Sequence, residues 1–230
     1  MSERKVTGAC RNTPTVVPRV CLKKRETRGR RGIVRDGRDV KGWAEKEPAA
    51  DEVRPACCQA CGAASRPPGG EVVLHGHGRR ERQVWGPATA DGPPELRSTW
   101  VRRFRCKRCK ATMTVAPREL LTKRLYSAAA IALALALFAL AGLPLHEVRQ
   151  RVSPWAAVVG YTAAASWRSV PRWTESVREG RLFEVRRPPE DWTPRQVAER
   201  TATTLAARAP VSPVPGDLIS AAFRGALADG

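Results

Sequence analysis

Acidic residues are scarce in this sequence: 22 Asp and Glu stand against 41 Lys and Arg, a net charge of +19 over 230 residues. The carboxylates that are present are scattered, so no cluster is marked out for acid–base chemistry. HExxH is absent, as are a P-loop and a Gly-x-Ser-x-Gly elbow, which removes the common signatures of zinc hydrolases, nucleoside triphosphatases and α/β-hydrolases. No internal repeat is visible. The first twenty residues, Met1 to Val20, contain no apolar run. A secretory signal peptide is therefore not expected, and a reducing, cytoplasmic setting is. These absences point away from an enzyme.

The positive charge is present, and it is uneven. Residues 1–55 hold 15 Lys/Arg against 8 Asp/Glu, a net of +7, and residues 56–125 hold 14 against 5, a net of +9. The remaining 105 residues carry +3. Such an excess says nothing about fold, but it attracts polyanions, either nucleic acid or an anionic membrane surface. Seven cysteines is an odd number. In a reducing compartment, paired Cys-x-x-Cys reads as a metal or redox site rather than a disulfide framework.

The expected class is α+β, in four parts. Residues 1–55, with Lys23-Lys24-Arg25 and Arg28-Gly29-Arg30-Arg31-Gly32, lack apolar periodicity and read as a disordered basic arm. Cys10 and Cys21 would be free thiols within it. Residues 56–118 read as a small β zinc ribbon. Its strands are expected at Glu71–His75, Arg79–Trp85, Leu96–Arg105 and Thr112–Val115, with a turn at Gly76–Gly78. Residues 119–185 read as a helical domain. Ala128–Ala141 alternates Ala and Leu, yet both are strong helix formers, and its stripes on opposite faces predict a helix buried all round. Shorter helices are expected at Leu145–Val152, Pro154–Ala165 and Arg172–Glu179. Residues 186–230 read as a linker, a helix at Pro194–Arg208 and a loosely packed tail.

The residues that carry chemistry are Cys58, Cys61, Cys106 and Cys109. Two residues between paired cysteines form a tight knuckle that aims both thiolates at one ion, and Zn²⁺ favours four such ligands in a tetrahedron. Gly62 suits the backbone turn after the first knuckle. Lys107, Arg108 and Lys110 around the second would favour the thiolate. The 44 residues between the knuckles exceed the usual ribbon loop. A redox Cys-x-x-Cys would need a βαβ context, which is missing. Cys57, His75 and His77 are lesser candidates for the same ion. A closed four-thiolate site has no open coordination position, so it staples a fold and does not activate water.

Arg102, Arg103, Arg105, Lys107, Arg108 and Lys110 fall within nine residues, interleaved with Trp100 and Phe104. This is the pattern of a phosphate-contacting edge with stacking aromatics, or of a solvated strand whose aromatics face a small core. Trp155, Trp167 and Trp173 read as helix-packing residues. The pair Leu145–Val152 and Pro154–Ala165 has helix-turn-helix proportions, in which Arg149, Arg151 and Arg168 would supply contacts. A plain helical bundle is the competing description.

The order of these features resembles the front half of bacterial insertion-sequence transposases, which begin with a zinc ribbon followed by a helix-turn-helix. The matching residues are Cys58-Gln59-Ala60-Cys61-Gly62, then His75-Gly76-His77-Gly78-Arg79-Arg80, then Val101 to Cys109, and the Leu145–Trp155 region. Short uncharacterised bacterial proteins with a ribbon, an Ala/Leu-rich helix near Tyr126-Ser127-Ala128 and a Trp-rich helix also look similar. The resemblance spans about residues 55–185. It implies one structural zinc and binding to an element's terminal DNA, by one copy or a homodimer, with Arg79 and Arg80 joining the basic set. It implies no strand transfer, because no catalytic domain follows the helices, and no small-molecule substrate. Two alternatives stand beside it. One is a zinc-ribbon module for RNA or a protein partner, since fold alone cannot choose. The other is a single-span membrane protein, because Ser127–Leu145 is 19 residues without charge.

Overall fold

Residues 32–155, 167–211 and 217–228 are described in a computed structural model of the chain. They form an α+β arrangement of one four-stranded sheet and six helices. The expected arm residues 1–31, with Cys10 and Cys21, lie outside the described residues, as does nearly all of the expected helix Pro154–Ala165.

The sheet order is β1-β4-β3-β2. β2 (Leu74–Gly86) and β3 (Glu95–Cys106) form a long antiparallel hairpin, in register from Leu74 opposite Cys106 to Gly86 opposite Glu95. The two strands expected on either side of Gly76–Gly78 are thus one. The glycines make a bulge, where the register shifts between Gly76 and Arg79, rather than a turn. Gly78 takes φ +82°, a conformation that side chains resist, so the extra residue is absorbed without breaking the ladder. β4 (Thr112–Pro117) pairs antiparallel with β3.

The expectation of a disordered arm up to residue 55 is corrected by β1 (Gly32–Asp36) and α1 (Val40–Glu45). β1 pairs in parallel with β4, Gly32 opposite Met113, a contact across some eighty residues that no local periodicity could reveal. Asp39 caps α1 by accepting the Gly42 amide at 2.7 Å. Trp43 is fully buried, and its indole N–H donates to the Trp100 carbonyl at 2.5 Å. It packs with Val53, Cys58, Leu74, Phe104, Cys106, Met113 and Val115. A smaller cluster joins Val40 to Val84, Val101, Ala116 and Leu120.

Glu119 ties these parts together. Its buried Oε1 accepts the Val40 amide at 3.0 Å. Burial pushes its carboxyl above the ordinary carboxylate range, against the opposing pull of that amide and of Arg97 and Arg118; Asp39 adds to the rise. The folded chain therefore holds this proton more tightly than the unfolded one. The resulting stability is present below the unfolded pKa and is lost as pH climbs through the folded value. Glu119→Gln keeps the acceptor without the charge. Its melting temperature at pH 8 is expected to equal or exceed that of the parent, with the difference shrinking on acidification. Glu119→Ala strands the Val40 N–H and should cost about 1–3 kcal/mol. Thermal melts at pH 8 and pH 4 check both.

The helical layer is built on α2 (Ala128–Ala139), capped by Ser127, whose hydroxyl accepts the Ala130 amide at 3.0 Å. Every residue from Ala128 to Leu137 is buried, as the two-faced pattern predicts. α3 (Leu145–Val152), α4 (Ser169–Arg178), α5 (Pro194–Ala206) and α6 (Leu218–Ala228) pack against it. Pro171 sits within the first turn of α4, where its missing N–H costs nothing. Thr193 and Gln196 form a reciprocal capping box at the start of α5. The expected loose tail is corrected by α6, which buries Ala222, Phe223 and Ala226 against the same core. The reason is small side chains: a Cβ on Gly225 would collide with the Leu205 carbonyl of α5, so the helices meet at a separation only glycine permits. Where the sheet meets the helices, the Trp85 amide donates to Leu125 O at 2.9 Å and the Ser127 amide to Trp85 O at 3.1 Å. Trp85, Tyr126, Trp155, Trp167 and Trp173 make a chain of edge-to-face contacts there. Trp167 and Trp173 are packing residues, as expected. No helix of the described residues is long and apolar enough to cross a membrane.

Candidate functional site

The four cysteines converge. Their sulfurs all lie within 4.8 Å of one another. Cys58 Sγ is 3.6 Å from Cys109 Sγ, and Cys61 Sγ is 3.8 Å from Cys106 Sγ. A tetrahedron with metal–sulfur bonds of ~2.3 Å has sulfur–sulfur edges of about 3.8 Å, so this set could hold one metal ion. Cys57, His75 and His77 are not in the cluster. Cys57 instead lies in a short backbone bridge to Ala64.

The two knuckles have the same local geometry. In the first, the Gly62 amide donates to Cys58 O at 2.7 Å and the Cys58 amide to Ala63 O at 2.9 Å. In the second, the Lys110 amide donates to Cys106 O and the Cys106 amide to Ala111 O, both at 2.9 Å. Gly62 takes φ +70° and Lys110, at the matching position, +61°. Both residues reverse the chain so that the second cysteine returns to the first. The left-handed conformation is ordinary for Gly62 and costs energy for Lys110, which a bound ion would offset.

The thiols feel burial and the knuckle amides unequally. Burial pushes the Cys58 thiol up to about 12, against amides of Cys61 and Ala60 directed at its sulfur. Burial raises Cys109 as well. It acts upward on Cys106 too, but the amides of Cys109 and Arg108, with the neighbouring thiols, bring that group below the usual thiol value. Backbone amides and neighbouring thiols act here, rather than the Lys107, Arg108 and Lys110 side chains that the sequence suggests. A coordinated metal deprotonates such thiols outright.

The basic run divides into two sets. Arg79 and Arg102 share Glu47, at 2.9 and 3.0 Å, and Arg102 also donates to Pro48 O at 3.0 Å. Lys107 is 2.8 Å from Glu71. These three each have a carboxylate partner, two of them the same one. Arg80, Arg103, Arg105, Arg108 and Lys110 have no ion pair among the described residues. The division follows strand alternation. Arg79 and Arg102 are directly opposed on one face, where residues 46–54 cover the sheet, whereas Arg80, Arg103 and Arg105 share the other face. Phe104 is fully buried and Trp100 is 47 % exposed, so the two interleaved aromatics have different roles.

In the helical layer, Arg151 and Arg168 are exposed, but Arg149 is only 7 % exposed. Its guanidinium reaches the Trp155 carbonyl at 3.4 Å, and its Nε and Nη1 find no partner among the described residues. The geometry does not present Arg149 to a phosphate. The sequence reading missed Trp43, Glu47 and Arg54. Arg54 lies 5.5 Å from the Phe104 ring centre and donates to Leu74 O. Only the three-residue spacing of Val40 and Trp43 hints at a buried helix face there. Comparison with protein-family models, with curated proteins and with solved structures finds no match to this chain.

Proposed function

We propose that Cys58, Cys61, Cys106 and Cys109 bind one structural Zn²⁺, making the β module a zinc ribbon, and that the chain is a zinc-dependent DNA-binding protein without catalysis of its own. The observation that carries the DNA reading is the division of the basic run. Five cations without acidic partners, Arg80, Arg103, Arg105, Arg108 and Lys110, lie on or beside the strand that delivers the second knuckle. Among the described residues no carboxylate meets them, so their charge is available to a polyanion. The resemblance to the front ends of insertion-sequence transposases supports duplex DNA as the polyanion and a mobile-element origin. It also supports the segment after α3 as a second contact region, with Arg151 and Arg168 exposed beside it. Four thiolates leave no open position on the ion, so its role is to hold the ribbon.

Gel shifts of the zinc-loaded chain on duplex DNA at graded salt test this. Five phosphate contacts predict that log K falls linearly with log salt with a slope of about −4.5. No duplex binding even at low salt would sink the proposal. Tighter binding to structured RNA in competition would replace DNA by RNA.

A further inference from the structure

A cavity of about 310 Å³ opens on the helical layer, where the loop between α4 and α5 meets α5. Arg186, Arg187, Pro188, Pro189, Trp192 and Arg200 line it, so three arginines and one indole share a single space with no carboxylate in its walls. None of the three arginines has an ion pair among the described residues, and all are exposed. Arg187 also borders a neighbouring cleft with Glu175, Glu179 and Glu190, which leaves Arg186 and Arg200 as the less compensated pair. Gathered cations that no acid meets repel one another and attract an anion. The loop that carries them is held in place. Arg178 of α4 donates to the Glu190 carbonyl at 2.6 Å and to the Trp192 carbonyl. Pro188 is buried, and the two prolines fix the backbone beside it. The capping box of Thr193 and Gln196 starts α5 directly after Trp192. Trp192 is half-buried: it packs against the helical core and also lines the cavity. Arg200 lies on α5, where a long side chain leans back toward the start of its helix and so toward Trp192.

From this arrangement we infer that the cavity binds a nucleoside monophosphate unit, with its phosphate held by Arg186, Arg187 and Arg200 and its base laid on Trp192. The planar guanidinium fork matches phosphate oxygens two at a time. An indole held by its own packing offers a base of any sequence a stacking surface. Inorganic phosphate would leave the indole and the prolines unused, and a bare nucleoside would leave three cations unmet. A ligand that carries both groups uses the whole lining. The volume is at the low end for small-ligand sites, room for one nucleotide. Such a unit arrives either as a free mononucleotide or within an unpaired nucleic-acid strand, and the chemistry of capture is the same. The site shares no residue with the basic strand of the β module. It therefore goes beyond the DNA-binding reading above and does not depend on it.

Isothermal titration calorimetry with the full zinc-loaded chain tests this. The probes are deoxyadenosine monophosphate, inorganic phosphate, deoxyadenosine and a short oligodeoxyadenosine strand. The monophosphate is expected to bind about tenfold more tightly than phosphate or nucleoside alone, since each of those lacks one half of the contact. Arg186→Ala with Arg200→Ala removes two exposed side chains and should weaken the monophosphate complex about tenfold or more. Trp192→Ala should cost about tenfold, the scale of one lost stack. Trp192→Phe keeps a ring in the same packing, so its recovery of most of the affinity separates a lost stack from a lost fold. A strand that binds more tightly than the monophosphate and fails with the same substitutions identifies nucleic acid as the source; equal affinity identifies the free nucleotide. Either result sustains the inference. Equal affinity for phosphate and monophosphate overturns it, as does binding that survives both the arginine and the tryptophan substitutions, or no binding of monophosphate and strand alike. Arg103→Ala with Arg105→Ala should leave monophosphate affinity within about twofold, because those residues are outside the cavity. A parallel loss there would mean that net charge governs binding and would also overturn the inference. Duplex binding through the β module can fail while this site holds, and the reverse.

Discussion

Stripping the metal with a chelator should unfold the β module while α2, α5 and α6 stay folded. The thiols are part of the core that Trp43 completes: Cys58 and Cys106 are 1 % and 0 % exposed and pack with Leu74, Phe104 and Met113. Without an ion, four thiols crowd at sulfur contact distance, and Lys110 keeps its left-handed backbone with nothing to offset it. Binding energy for four-ligand zinc sites, roughly 10–16 kcal/mol in small peptides at neutral pH, is largely folding energy. The helical layer has its own separate cluster, centred on α2, and does not draw on the cysteines. Hydrogen exchange reads the difference directly. After metal removal, amides of β3 should lose protection, and those of α2 should keep it. Cys58→Ser or Cys106→Ser should reproduce the effect and abolish stoichiometric zinc in elemental analysis. Full protection of β3 in the metal-free chain would show that the thiols are ordinary core residues.

The combined change Arg103→Ala, Arg105→Ala, Arg108→Ala should weaken duplex binding by about one to two orders of magnitude and reduce the salt slope by about three, near one per phosphate contact. The control is Arg79→Ala with Lys107→Ala, which removes two cations from the same stretch. Their charges are already met by Glu47 and Glu71, so affinity and slope should change little. Exposed pairs of this kind contribute only about 0–1 kcal/mol to folding, and both variants should melt near the parent. Equal losses from the two sets would mean that net charge alone drives binding, and that the division of the basic run has no functional content.

How much of this was legible beforehand varies from element to element. The Ala/Leu run of α2 announced itself through propensity and its two apolar faces. Leu145–Val152 was legible because its amphipathic pattern is local and Pro144 precedes it. The cysteine set was legible because a two-residue spacing is a covalent constraint, independent of what lies between the knuckles. Gly76–Gly78 misled because the same residues that make a turn also permit a bulge, and only the partner strand decides between them. The tail misled because α6 is built from Ala and Gly, whose packing value depends on how closely another helix can approach.

By itself, then, the sequence determined the helix- and strand-forming stretches, the two Cys-x-x-Cys pairs and the strand that carries the densest positive charge, since each is written in local order. Tertiary structure alone decided that residues 32–55 belong to the sheet and its core, that Glu47 pairs with both Arg79 and Arg102, and that Arg149 is enclosed. Those outcomes depend on pairings between residues tens of positions apart. A charge that looks free in the sequence stays free only if folding brings no opposite charge to it.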